Sequence, residues 1–130
     1  MSKALQNANL LGINYEAKVN KTRKKVGVVL PIMGNKRYVI GLIPTIRSKN
    51  HEVYIIAIDN GSKDGTTEEL RKLKHDRRIF HHEVYPEPIG VAAAWNRGMK
   101  VALDNNLDYI MIINTDILLH KDCIDNLVNF

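Results

Sequence analysis

The chain has 130 residues, 19 Lys plus Arg against 14 Asp plus Glu, 45% hydrophobic and 25% charged. That is the globular range, with room for one domain that has a real core and not for two. Cys123 is the one cysteine, which excludes an internal disulfide, and no His/Cys cluster has zinc-ligand spacing, so a reducing, cytoplasmic setting is expected.

The first thirty residues contain no apolar stretch of signal-peptide length. The longest apolar run, around Val26 to Met33, is far short of the roughly 20 residues a membrane span needs. Charge is uneven along the chain. Residues 1–50 carry ten Lys/Arg against the single Glu16, and residues 51–130 carry nine against thirteen Asp/Glu.

Residues 1–24 have no sustained period of 2 or 3.6 and end in the basic run Lys21, Arg23, Lys24 and Lys25. They read as a basic leader ahead of one domain over 25–130. Such a run could touch anionic lipid or nucleic acid, or be solvated surface. With no interleaved aromatics for base stacking, a nucleic-acid partner is not expected.

A strand rhythm then begins. Val26 to Ile32 and Val53 to Ile58 are continuous apolar runs, Ile79 to Tyr85 is a weaker third, and Tyr109 to Ile113 is a fourth. Runs that are apolar on both faces suit a buried parallel sheet. Helical segments alternate with them. Lys36 to Ser48 should kink or end early at Pro44. Thr66 to about Lys74 opens with Thr66 and Glu69 at capping-box spacing. From Val91, the residues Ala94, Trp95, Gly98, Met99 and Ala102 fall on one helical face, and Gly90 with Ala92 to Ala94 would let helix and sheet approach closely. A last segment starts near Lys121 and puts Ile124, Leu127 and Val128 together.

The order β-α-β-α-β-α-β-α predicts an α/β fold: an open, mostly parallel, twisted sheet with helices on both faces and the fourth strand at an edge. Ligands of such sheets bind beyond the carboxyl ends of the strands, where strand order reverses. Those ends hold Pro31-Ile32-Met33-Gly34-Asn35, then Asp59-Asn60-Gly61-Ser62-Lys63-Asp64-Gly65-Thr66, then Asn114-Thr115-Asp116. No G-x-G-x-x-G follows the first strand and no G-x-x-x-x-G-K-[ST] is present, which disfavours a dinucleotide or P-loop site. Adjacent His81 and His82 should point to opposite faces of a strand, and Cys123 reads as a small core residue.

In order and spacing, DNGSKDGT at 59–66, IGVAAAWNRGMKVAL at 89–103 and YIMIINTDI at 109–117 resemble the nucleotide-binding half of inverting GT-A glycosyltransferases of family 2, closest to the rhamnosyltransferase-like members. The resemblance implies a UDP- or dTDP-sugar donor and Mn²⁺ or Mg²⁺. It assigns a nucleotide contact to Asp59, for which the alternative is a turn-forming Asp bonded to its own backbone. Pro31, Asn60, Asn96, Arg97 and Asn114 complete the candidate nucleotide set. Arg97 would either pair with phosphate or be solvated, and Trp95 reads as core rather than as a sugar platform. Asn114-Thr115-Asp116 stands in the place of the family's D-x-D, which makes Asp116 the candidate metal ligand. An amide in the first position forfeits up to about 4 kcal/mol of attraction at 4 Å with an effective dielectric of 20. Asp64, Gly65 and Thr66 read as a turn and helix cap.

The family's acceptor half supplies the general base, and no residue here matches it. The expectation is therefore either a fragment or a chain that dimerises through exposed apolar surface, with the acceptor unassigned. A non-catalytic nucleotide-binding module is one alternative. A sugar-1-phosphate nucleotidyltransferase, faintly suggested by Gly34-Asn35-Lys36-Arg37, is another.

Overall fold

A computed structural model describes residues 23–130. Four strands, β1 (Lys25–Ile32), β2 (Glu52–Asn60), β3 (His81–Tyr85) and β4 (Tyr109–Ile112), alternate with α1 (Lys36–Leu42), α2 (Thr66–His75), α3 (Val91–Asp104) and α4 (Cys123–Val128). All pairings are parallel and the strand order is β3-β2-β1-β4. The order reverses between β1 and β4, so a switch-point crevice opens at the carboxyl ends of those two strands.

Alternation along β1 divides the core. Val26, Val28, Leu30 and Ile32 join Val39, Leu42, Leu70 and Ile124 under α1, α2 and α4, whereas Val29 joins Ile56, Ile58, Ala94, Val101 and Ala102 under α3. This is the two-faced burial that continuous apolar runs demand. The glycine permitting close approach of α3 is Gly98, where a Cβ would lie 2.2 Å from Val29 Cγ1. Gly90, expected to play that part, would meet nothing within 4 Å, and Ala92 and Ala93 are exposed.

Several boundaries differ from expectation for local reasons. α1 ends at Leu42 and passes into a 3-10 turn, Ile43–Thr45, because Pro44 cannot donate to the helical ladder. β3 begins at His81, since Ile79 lies buried in the preceding turn and Phe80 N–H reaches Ile55 O. The capping box at α2 does not form. Gly65, at φ 90°, is the N-cap, Asp64 Oδ1 accepts from both the Thr66 amide and its hydroxyl, and the Glu69 carboxylate turns to Lys72 at 3.4 Å and Lys36 at 4.0 Å.

β4 lies at the edge, as expected, and with α4 it bounds an apolar cleft of about 170 Å³ lined by Val26, Tyr109, Met111, Ile124 and Leu127. Cys123, the first residue of α4, is half-buried. The α4 helix is tied to the loop before β2 by a buried polar cluster. Asp125 accepts from the Ser48 hydroxyl and from the Lys49 and Asn50 amides, and His51 Nδ1 accepts from Lys24 N at 3.0 Å while Nε2 faces Asn129 Oδ1 at 3.3 Å. Apart from Arg23 and Lys24, the expected leader lies outside the described residues. No helix among the described residues is long and apolar enough to cross a membrane.

Candidate functional site

Four loops meet at the carboxyl rim of the sheet, and the 59–66 segment ties those after β1, β2 and β3 together. Asp59 shares the face of Ile55 and Ala57, because β2 keeps its alternation to its last residue, and its side chain is 0% exposed. One carboxylate oxygen accepts from Ser62 N–H at 3.0 Å and the other from the Thr67 hydroxyl. Asn60, on the opposite face, accepts from Ile89 N–H at 2.7 Å and so fixes the loop before α3. Ser62 Oγ accepts from Gly34 N–H at 2.8 Å and Asp64 Oδ2 from Lys36 N–H at 3.2 Å, which anchors the loop after β1. Gly61, at φ 85°, meets Pro88 so closely that a Cβ would stand 3.0 Å from its Cδ. The Thr66 hydroxyl and the backbone amides donating to Asp64 hold its carboxyl below the usual range, with burial opposing.

Asp59 thus makes the internal turn bonds that were the alternative to a nucleotide contact. Its carboxylate is fully buried, whereas Asp116 is exposed. Arg97 is committed as well. Its guanidinium forks onto Glu83 on β3, with Nε at 2.9 and 2.8 Å from the two carboxylate oxygens. His81 Nε2 lies 2.9 Å from the same carboxylate and the Tyr85 hydroxyl donates to it at 3.1 Å. Arg97 holds the Glu83 carboxyl down to about 2 against the opposing effect of burial. His82, one residue from His81, lies on the α2 face as alternation requires, and burial lowers its pKa.

The remaining candidates surround the switch point. Pro31 is the penultimate residue of β1, beyond the last β4 pairing. The alternation that sends the Val29 carbonyl to Ile113 N–H puts the Pro31 nitrogen on the same side, where no ladder bond is required of it. Asn114 is exposed and lines a cleft of about 360 Å³ with Ile112 and Trp95. The Trp95 indole N–H is itself buried, without a hydrogen-bond partner among the described residues. Asn96, one position on, is exposed. α3 begins at the same rim with no side-chain cap, which leaves its first amides available to an anion. Asp116, also exposed, lies beside a second cleft of about 320 Å³ shared with Arg37, Tyr38, Gly41 and Thr115. Among the described residues no group of three His, Cys, Asp or Glu side chains could enclose a metal ion. Mg²⁺ at nucleotide sites is commonly held by one or two carboxylates plus substrate phosphates, and one exposed carboxylate fits an ion that arrives with a diphosphate.

Sequence reasoning missed the Glu83–Arg97 fork and the Asp125–His51 cluster. Each joins residues from different elements, and only the β3–α3 alternation carried any advance signal of the first.

Residues 28–130 match the profile of the family described as Glycosyl transferase family 2. The chain belongs to that family. Its sheet and helices superpose on the mannosyltransferase PcManGT from Pyrobaculum calidifontis, solved in complex with GDP-Man and Mn²⁺, with a TM-score of 0.69 and 20% identity over 96% of this chain and 40% of that one. They also superpose on residues 1–349 of TarS from S. aureus, with a TM-score of 0.66 and 14% identity over 81% of this chain and 31% of that one. At such identities the likeness is one of fold, that of GT-A glycosyltransferases, and the chain spans under half the length of either neighbour. No curated protein matches the chain significantly.

Proposed function

We propose that this family 2 domain binds a nucleotide-sugar donor in the crevice between the carboxyl ends of β1 and β4 and presents the sugar for inverting transfer. The observation that carries the reading is the contrast around that crevice. The polar side chains of 59–64 are taken up in holding the loops, while Asn114 and Trp95 line one cleft, Asp116 lines another, and α3 starts at the same rim without a side-chain cap.

Within this reading Asn114 and the Trp95 indole contact the ribose or base, with Asn96 at the margin of the cleft, and the α3 amides face phosphate. Asp59 and Asn60 shape the site from behind, and Arg97 acts through Glu83 rather than on the donor. Asp116 would hold Mn²⁺ or Mg²⁺ together with the donor phosphates, and the bound ion would offset charge on the departing diphosphate. The base was expected to be UDP or dTDP, and the Pyrobaculum neighbour carries GDP-Man, so all three nucleotides belong in the test. No residue of the chain is assigned to acceptor activation.

Calorimetry of UDP, dTDP and GDP with and without Mn²⁺ tests the reading. Micromolar to millimolar binding of one nucleotide, strengthened by Mn²⁺ in the wild type and not in Asp116→Ala, is the expected result. Absence of binding by all three in both conditions would refute it.

A further inference from the structure

We propose that Arg37 supplies the fixed positive charge that neutralises the donor diphosphate, so that donor binding does not depend wholly on a metal ion. The proposal rests on the donor-site reading above and adds a residue to it.

A sugar diphosphate brings about two negative charges into the crevice, whereas the 114–116 segment after β4 offers a cation one carboxylate, Asp116, beside the neutral Asn114. The positive side chains of the rim are mostly engaged elsewhere. Arg97 is forked onto Glu83, the Lys63 ammonium donates to Pro86 O at 3.0 Å, and Lys36 leans toward Glu69 at 4.0 Å. Arg37 is exposed and makes no ion pair among the described residues, and it lines the same 320 Å³ cleft as Thr115 and Asp116. Its guanidinium carbon lies 5.8 Å from the centroid of the Tyr38 ring, a contact that limits the freedom of a long side chain and leaves its planar fork available. A guanidinium held this way suits bidentate capture of a phosphate, which an ammonium would do only as a point charge.

The test is calorimetry of UDP, dTDP and GDP with EDTA and with Mn²⁺, across a salt series, on the full chain and on Arg37→Gln, Arg37→Lys and Asp116→Asn. Arg37 is exposed, and unchanged thermal unfolding serves as the folding control. Arg37→Gln is expected to weaken EDTA-state binding about ten-fold or more and to flatten its salt dependence, with Arg37→Lys intermediate. Asp116→Asn is expected to lose the Mn²⁺ enhancement and keep the EDTA-state affinity. Wild-type binding that vanishes in EDTA, or Arg37→Gln binding equal to wild type, overturns the proposal and leaves the donor site standing. A wild type that binds none of the three nucleotides in either condition overturns both.

Discussion

Replacing Asp59 by alanine removes two hydrogen bonds from a side chain with no solvent exposure, leaving the Ser62 amide and the Thr67 hydroxyl without their acceptor. Each unsatisfied buried donor costs about 1–3 kcal/mol. The Thr67 hydroxyl can rotate in part toward another acceptor, so the sum falls at about 2–5 kcal/mol, a large part of the stability of a domain this size. At about 5 °C per kcal/mol for a domain of roughly 100 residues, the unfolding midpoint should fall by about 10–25 °C. The damage extends to the loop after β1, since Ser62 Oγ is the acceptor for Gly34 N–H. Asp59→Asn keeps one carbonyl for Ser62 and offers its NH₂ to a rotated Thr67 hydroxyl, so its loss should be nearer about 1 kcal/mol. Thermal and urea unfolding read both variants, with nucleotide titrations run well below the midpoints. An Asp59→Ala protein that melts like wild type yet loses nucleotide affinity would refute the reasoning and restore Asp59 as a ligand contact.

The glycines make a contrasting pair. Gly98→Ala forces a methyl into Val29 Cγ1 at 2.2 Å and should destabilise by about 1–3 kcal/mol in urea unfolding. Gly41→Ala, in α1 with only Leu118 at 3.9 Å, should stabilise by about 0.5–1 kcal/mol. The Glu83 carboxyl is held down to about 2 in the fold, chiefly by Arg97, against an ordinary value of 4.5. Its pairing with Arg97 therefore contributes fully above pH 4.5 and is lost as pH falls from 4.5 through about 2. With Arg97 partly exposed, the difference between wild type and Arg97→Gln should be about 1–2 kcal/mol near neutrality, shrinking across that window in urea titrations. Burial raises the Asp125 pKa, but the Ser48 hydroxyl and the Lys49 and Asn50 amides outweigh it and hold the carboxyl low. Asp125→Ala should accelerate amide hydrogen exchange in α4 well before the sheet opens.

The sheet was legible because its signal is local. Val26 to Ile32, Val53 to Ile58 and Tyr109 to Ile113 are apolar on both faces, and a parallel sheet buried by helices on both sides is what such runs require. The role of Asp59 turned on one extra pair of strand residues. Had β2 ended at Ile58, position 59 would have been a free loop tip. Because the ladder continues to Asn60, the period of 2 puts Asp59 under α2 with Ala57 and sends Asn60 to the other face. The commitment of Arg97 was hidden for a different reason. Its partner Glu83 is fourteen positions away, on a strand too short and polar to announce which face its carboxylate would take. Asn114 and Asp116 were candidates through the family resemblance alone, and both lie exposed in the loop after β4.

If the rim binds a donor as proposed, its distribution of work bears on how a weakly acidic site would be specific. A loop bearing one carboxylate and one amide offers a cation little by itself, and discrimination must then come from fixed geometry rather than from metal affinity. The ties from Asp59, Asn60, Ser62 and Asp64 supply that geometry. They join the loops after β1, β2 and β3 into one rigid frame, while the loop after β4 is held separately through Leu119 N–H and Thr45 Oγ1 at 3.1 Å. Arg37 stands on the α1 side of the gap and Asp116 on the β4 side. A diphosphate bridging them would join two parts of the rim that share few direct bonds. Donor binding should therefore order the 114–120 loop, and hydrogen exchange of that loop with and without nucleotide would show it as a protection confined to those residues.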